Sequence, residues 1–123
     1  MMPSAAQVYA RQQVINAPGQ WDFMISYTQQ NGFAKALATK LHSTLKEQGW
    51  GVWFDVEMGD RSEAAMKEAV ENSSAVIAVI SGNAPGATGT AYFERAFCLK
   101  ELRWAKQAGT RIQPVVDVAR SGP

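Results

Sequence analysis

Trp21 to Tyr27 reads WDFMISY, a compact apolar run of strand length set between Pro18-Gly19 and the polar stretch Thr28 to Gly32. Apolar side chains at successive rather than alternate positions suit a strand buried on both faces, as in the middle of a parallel sheet. On the C-terminal side Phe33, Leu37, Leu41 and Leu45 recur every four residues with Lys35, Lys40 and Lys46 between them. That spacing predicts an amphipathic helix, and Gly49 can close it in the left-handed conformation. His42 stands beside Leu41 on a more polar side and reads as a solvated helix residue without a role. On the N-terminal side Met1 to Gln20 is a polar lead-in, where Val8, Tyr9, Val14 and Ile15 could form a short helix.

The alternation continues. Gly51 to Phe54 (GVWF) is a second, shorter strand that runs into an acidic loop carrying Asp55, Glu57, Gly59 and Asp60. Ser62 can cap the next helix, with Ala65, Met66, Ala69 and Val70 on its buried side and Asn72 at its end. Ala75 to Ile80 (AVIAVI) is the third strand and the most hydrophobic segment; a Gly-rich loop from Ser81 to Gly89 follows it. A helix to Gly109 leads to a fourth strand, Ile112 to Val116, which Pro114 pushes toward an edge or a bulge. Strands alternating with helices imply right-handed crossovers and an open parallel sheet with helices on both faces, a flavodoxin-like α/β fold. The domain is placed at residues 21–117, with a lead-in at 1–20 and a tail at 118–123.

Composition narrows the function classes. The chain has 123 residues, enough for one core, and is 46% hydrophobic and 19% charged, as in ordinary globular proteins. Twelve basic and eleven acidic residues leave a net charge of +1, without the concentrated basic face that nucleic-acid binding uses. One cysteine, Cys98, excludes an internal disulfide and a cysteine-based metal site; it reads as a small buried hydrophobe. One histidine leaves His42 as the sole candidate for any Ser-His-Asp chemistry. No apolar run approaches the ~18 residues of a membrane span, and the first twenty residues lack a secretion-signal core. A cytoplasmic setting is the expectation, with neither nucleic acid nor membrane as partner.

Chemistry is suggested at Ala91 to Ala108, AYFERAFCLKELRWAKQA. Read as a helix, it places Phe93, Phe97, Leu99, Leu102 and Ala105 on a broad apolar side, with Phe97 and Glu101 one turn apart. An aromatic ring one turn before a carboxylate suits a flat heterocycle joined to a sugar; it suits an ordinary helix edge equally. Ligands of open parallel sheets sit outside the carboxyl ends of the strands. Those ends are Tyr27-Thr28, Asp55 to Gly59, and Ser81, all expected to face the start of this helix. No phosphate-cradling GxGxxG or GxxxxGK[ST] motif is present. The acidic pair and aspartate of a phospho-accepting receiver are missing too, since Thr28-Gln29-Gln30 and Ser81-Gly82 occupy those positions.

Four segments in order resemble the Toll/interleukin-1 receptor (TIR) domain family. WDFMISY is similar to its first strand, and GVWFDVE followed by Gly59 to its second strand and the start of its BB loop. AMKEAVENSSAVIAVIS resembles the helix and third strand that follow. YFERAFCLKEL resembles the segment Tyr-x-x-Ser-x-Trp-Cys-Leu-x-Glu-Leu, with Tyr92, Cys98, Leu99, Glu101 and Leu102 in register; RIQPVV is similar to the fourth strand. The resemblance covers Trp21 to Val116, and the family's last strand and helix are not recognised before Pro123.

TIR domains are of two kinds, scaffolds that recruit other TIR domains and enzymes that cleave NAD+ between nicotinamide and ribose. The resemblance implies the second kind: a glycohydrolase giving nicotinamide and ADP-ribose or a cyclic isomer, activated by self-association in immune or cell-death signalling. The alternative is a non-catalytic scaffold acting through homotypic contacts. In the cleaving members the glutamate of Cys-Leu-x-Glu-Leu is catalytic, which falls on Glu101. Tyr27, Thr28, Asp55, Glu57, Gly59, Ser81 and Phe97 are the substrate-binding positions implied. Thr28 stands where the family often has Arg, Phe97 where Trp is usual, and Arg95 where Ser is common. NAD+ is the substrate, with no separate cofactor and no metal.

Overall fold

The computed structural model describes residues 21–59 and 61–116, so the lead-in, Asp60 and the tail lie outside the described residues. The elements are β1 (Trp21–Ser26), α1 (Gly32–Glu47), β2 (Val52–Trp53), α2 (Glu63–Glu71), β3 (Ser73–Ile80), α3 (Ala96–Ala108) and β4 (Arg111–Val116), with 3-10 turns at Asp55–Glu57 and Tyr92–Glu94. The four strands form one sheet in the order β2-β1-β3-β4, every pair parallel. WDFMISY therefore lies between two neighbours, as its continuous apolar run requires. β4 is an edge strand among the described residues, consistent with Pro114, and its Ile112 and Val116 stay exposed.

The register sorts side chains onto two faces. Met24 pairs with Trp53 on one side and Val76 on the other, and these three pack with Trp21, Ala69, Val70 and Ala105 under α2 and α3. The opposite face carries Ile25, Tyr27, Val52, Phe54 and Val79 against Ala34 and Ala38 of α1.

α1 starts at Asn31, whose side chain accepts hydrogen bonds from the Phe33 and Ala34 amides, and Gly49 beyond its end takes φ 91°. Its buried line differs from the one expected. Ala34, Ala38 and His42 face the sheet, while Leu37, Leu41 and Leu45 flank them half-buried and Phe33 is exposed. Small side chains on the central line let the helix lie close to the strands. His42 is therefore buried, not solvated: its ring lies 4.9 Å from that of Phe54, and burial holds its pKa below the usual imidazole value.

The last crossover departs from expectation more sharply. The sequence predicts one helix over Ala91 to Ala108; instead the turn Tyr92–Glu94 is followed by extended Arg95 (φ −98°, ψ 124°), and α3 begins at Ala96. Tyr92 is fully buried and its amide donates to the Ser81 carbonyl at 3.0 Å, which anchors the turn to the end of β3 and redirects the chain. The expected apolar side holds at Ala105 and, half-buried, at Leu102, and fails at its other three positions. Phe93, Phe97 and Leu99 are exposed, and the buried line of α3 is Cys98, Glu101 and Ala105. A carboxylate occupies a core position.

Candidate functional site

The ends of β1 and β2 and the first turns of α3 enclose a cleft of about 390 Å³. Tyr27, Thr28, Asp55, Phe97 and Glu101 line it, together with Gln29, Arg61, Met66, Arg95 and Cys98. Its position follows from the fold, since parallel strands all deliver their carboxyl ends to one rim. Its size falls in the range of small-molecule sites.

Among the described residues Glu101 is, with Asp55, one of two buried acidic groups lining the cleft. Its side chain comes inward because α3 turns the strip Cys98–Glu101–Ala105 to the sheet, and only 6% of the residue is exposed. The Ser26 hydroxyl donates to Oε1 at 2.7 Å, and Tyr92 Oη lies 2.6 Å from Ser26 Oγ. Burial pushes the Glu101 pKa up to about 8; the Ser26 hydrogen bond opposes that rise, and the nearby Asp55 charge adds to it. The carboxyl group is poised near neutrality.

Asp55 is held differently. Tyr27 donates its phenol to Oδ1 at 2.8 Å and the Gln29 amide donates to Oδ2, so both oxygens are already engaged. The Tyr27 phenol is driven further from ionisation by burial and by that hydrogen bond to Asp55. Burial also pushes the Cys98 thiol up to about 12, with the Glu101 charge adding to the effect, so it stays neutral and packs against Ala78 and Tyr92 rather than serving as a nucleophile. Phe97 is 48% exposed at the mouth, with Lys100 Nζ 5.1 Å from its ring centroid. Lys100 also pairs with Glu63 of α2 at 2.9 Å.

Three of the positions implied from sequence do not line the cleft. Glu57 is half-exposed, 3.9 Å from Lys46. Gly59 is exposed in the loop after β2. Ser81 follows β3 under the Tyr92 turn, where its carbonyl accepts the Tyr92 amide and its buried hydroxyl has no partner. The sequence reading in turn passed over Ser26, Tyr92, Gln29 and Arg61 as functional groups. The signal for Ser26 is a hydroxyl closing the otherwise apolar run of β1, two residues after Met24 and so on the face that α3 covers.

Among the described residues no group of His, Cys, Asp and Glu side chains is arranged to hold a metal ion, and no helix is long and apolar enough to cross a membrane.

A family model described as "TIR domain" matches residues 23–121. The fold is similar to the crystal structure of the TIR domain of the Toll-related receptor TRR-2 from Hydra magnipapillata. The TM-score is 0.59 at 20% sequence identity, over 76% of this chain and 68% of that one. At that identity the likeness concerns the fold. No curated protein matches the chain.

Proposed function

The chain belongs to the TIR domain family, and from that premise we propose that it is an NAD+ glycohydrolase with Glu101 as its catalytic residue. The observation that carries this reading is a buried carboxyl group opening on a nucleoside-sized cleft at the strand ends, with an exposed aromatic ring one turn before it.

The reaction needs only one carboxylate. Ordinary glycosidases use two, because an alkoxide leaves poorly and must be protonated as it departs. The nicotinamide of NAD+ is a cationic pyridinium and leaves neutral, taking the bonding electron pair, so no acid is required. Positive charge grows on the ribose, and water then adds to give ADP-ribose and a proton. Glu101 stabilises that growing charge more than it stabilises the ground state, which is the requirement for a rate effect. A cationic ring arriving beside Glu101 also favours its ionised form, so binding expels the proton that burial retains. Phe97 offers a face for the nicotinamide ring. Arg61 and Arg95 line the same cleft, and neither forms an ion pair among the described residues. They supply positive charge for the diphosphate where Thr28 supplies none.

A scaffold role is the second reading, and a specific feature favours it. Phe93, Phe97 and Leu99 are exposed around the start of α3, an apolar surface suited to a neighbouring TIR domain. The two readings separate in one experiment: concentrated protein is incubated with NAD+ while free nicotinamide and particle size are followed together. Nicotinamide release that Glu101→Ala abolishes supports the enzyme. Assembly without release leaves the scaffold.

A further inference from the structure

The Ser26–Tyr92–Glu101 contacts join three separate segments: a central strand, the turn before α3, and α3 itself. We propose that the Ser26 and Tyr92 hydroxyls are positioning groups that anchor one oxygen of Glu101 in the core and leave the other open to the substrate. The inference rests on the reading of Glu101 as catalytic.

The direction of the chain follows from counting protons. A serine hydroxyl has one proton, and Ser26 gives it to Glu101 Oε1. The 2.6 Å contact between Ser26 and Tyr92 must then be donated by the phenol. Burial drives the Tyr92 phenol away from ionisation, so it remains a donor throughout the range in which Glu101 titrates. Tyr92 is fully buried and Ser26 is 1% exposed, so water does not compete for either hydroxyl. Two hydroxyls in series polarise one another, and the strengthened donor favours the ionised form of the acid it holds.

The second oxygen is the one with work left to do. Glu101 Oε2 has no hydrogen-bond partner among the described residues. The one fully enclosed side-chain oxygen or nitrogen without a partner among them is Ser81 Oγ. Oε2 is therefore reached from the cleft that Glu101 lines. The arrangement leaves a single lone-pair face presented to a ligand, with the carboxyl plane fixed from behind. A residue that served only packing would not need an acid here, since burying one is costly.

The other groups acting on Glu101 are Asp55 from the turn after β2, Tyr27 from the end of β1, and Cys98 on α3, with Arg61 and Arg95 in the cleft. Both phenols and the thiol are shifted upward by burial, which leaves them neutral from pH 5 to 9.

The test is carbon-13 NMR of the glutamate side-chain carboxyls across pH 5 to 10, with Glu101→Gln assigning the resonance. Wild type should titrate near pH 8. Ser26→Ala should raise the midpoint by about one unit, the scale of one lost hydrogen bond to a charged group. Tyr92→Phe, which keeps the buried ring, should raise it by less, and Ser26→Thr should restore it. Where NAD+ is cleaved, the rising limb of kcat/KM should move by the same amount. A midpoint that stays put or falls in both Ser26→Ala and Tyr92→Phe, as when water replaces the hydroxyl, overturns the proposal. Shifted midpoints without nicotinamide release in wild type would retain the anchoring and remove only the cleavage reading, so the two failures are distinguishable. If Ser26→Ala does not fold, Tyr92→Phe alone decides the sign.

Discussion

Replacing Glu101 with Gln should make the protein more stable at alkaline pH and, on the proposed reading, abolish NAD+ cleavage. In the unfolded chain this carboxyl titrates at its ordinary value of 4.5; in the fold burial raises that to about 8. Between those values the folded state keeps a proton that the unfolded state has lost. The stabilising contribution is therefore complete below pH 4.5, declines as pH rises, and is gone above 8. The interval is about 3.5 units, and each is worth about 1.4 kcal/mol, so on the order of 4 to 5 kcal/mol is lost across the full window. At pH 7 the loss is already about 3 kcal/mol. Gln has no such titration, and its amide oxygen can still accept the Ser26 hydroxyl proton. Urea unfolding of both proteins at pH 5, 6, 7 and 8 isolates the effect, because His42 and every other group titrate in both. The variant's advantage should grow by about 3 to 4 kcal/mol from pH 5 to pH 8. A difference that is flat with pH, or that grows toward acid, would refute the buried-carboxyl reasoning.

The remaining predictions concern the cleft. If Glu101 acts ionised, kcat/KM for NAD+ should rise about tenfold between pH 7 and 9, with a limb near 8; a flat or falling profile counts against it. Phe97→Ala should weaken NAD+ use roughly three- to tenfold through lost stacking. Because Phe97 is half-exposed, the same change should leave the thermal midpoint nearly unmoved, as calorimetry would verify. Arg95→Ala should raise KM for NAD+ several-fold but not for nicotinamide riboside, which lacks the diphosphate; equal effects on both would show that Arg95 contacts no phosphate.

Much of this fold was legible in apolar patterning, and the errors have one cause. WDFMISY and AVIAVI are continuous apolar runs, which only central strands bury on both faces, and they became β1 and β3. Pro114 pointed to an edge or a bulge, and among the described residues β4 lies at the edge. Periodicity failed where small or polar residues face the core. In α1 the four-residue leucine spacing concealed a closer line of Ala34, Ala38 and His42. In the last crossover the aromatic side chains of Phe93 and Phe97, apolar by pattern, face outward, while Cys98 and Glu101 join Ala105 on the inward side. The break at Arg95 carries no Pro or Gly to announce it; it arises from the burial of Tyr92 against Ser26 and Ser81, a tertiary event. For the cleft, Glu101 and Phe97 were visible as a spaced pair, whereas Gln29 and Arg61 reach it only because the loops fold back over the strand ends.

The most direct test of the central claim is single-turnover nicotinamide release from NAD+ at pH 8.5, with wild type and Glu101→Gln compared at protein concentrations high enough to assemble. NAD+ binding is measured alongside on both. The account predicts release by wild type, and by the variant none above the uncatalysed rate despite comparable binding. Release by Glu101→Gln at the wild-type rate would contradict it.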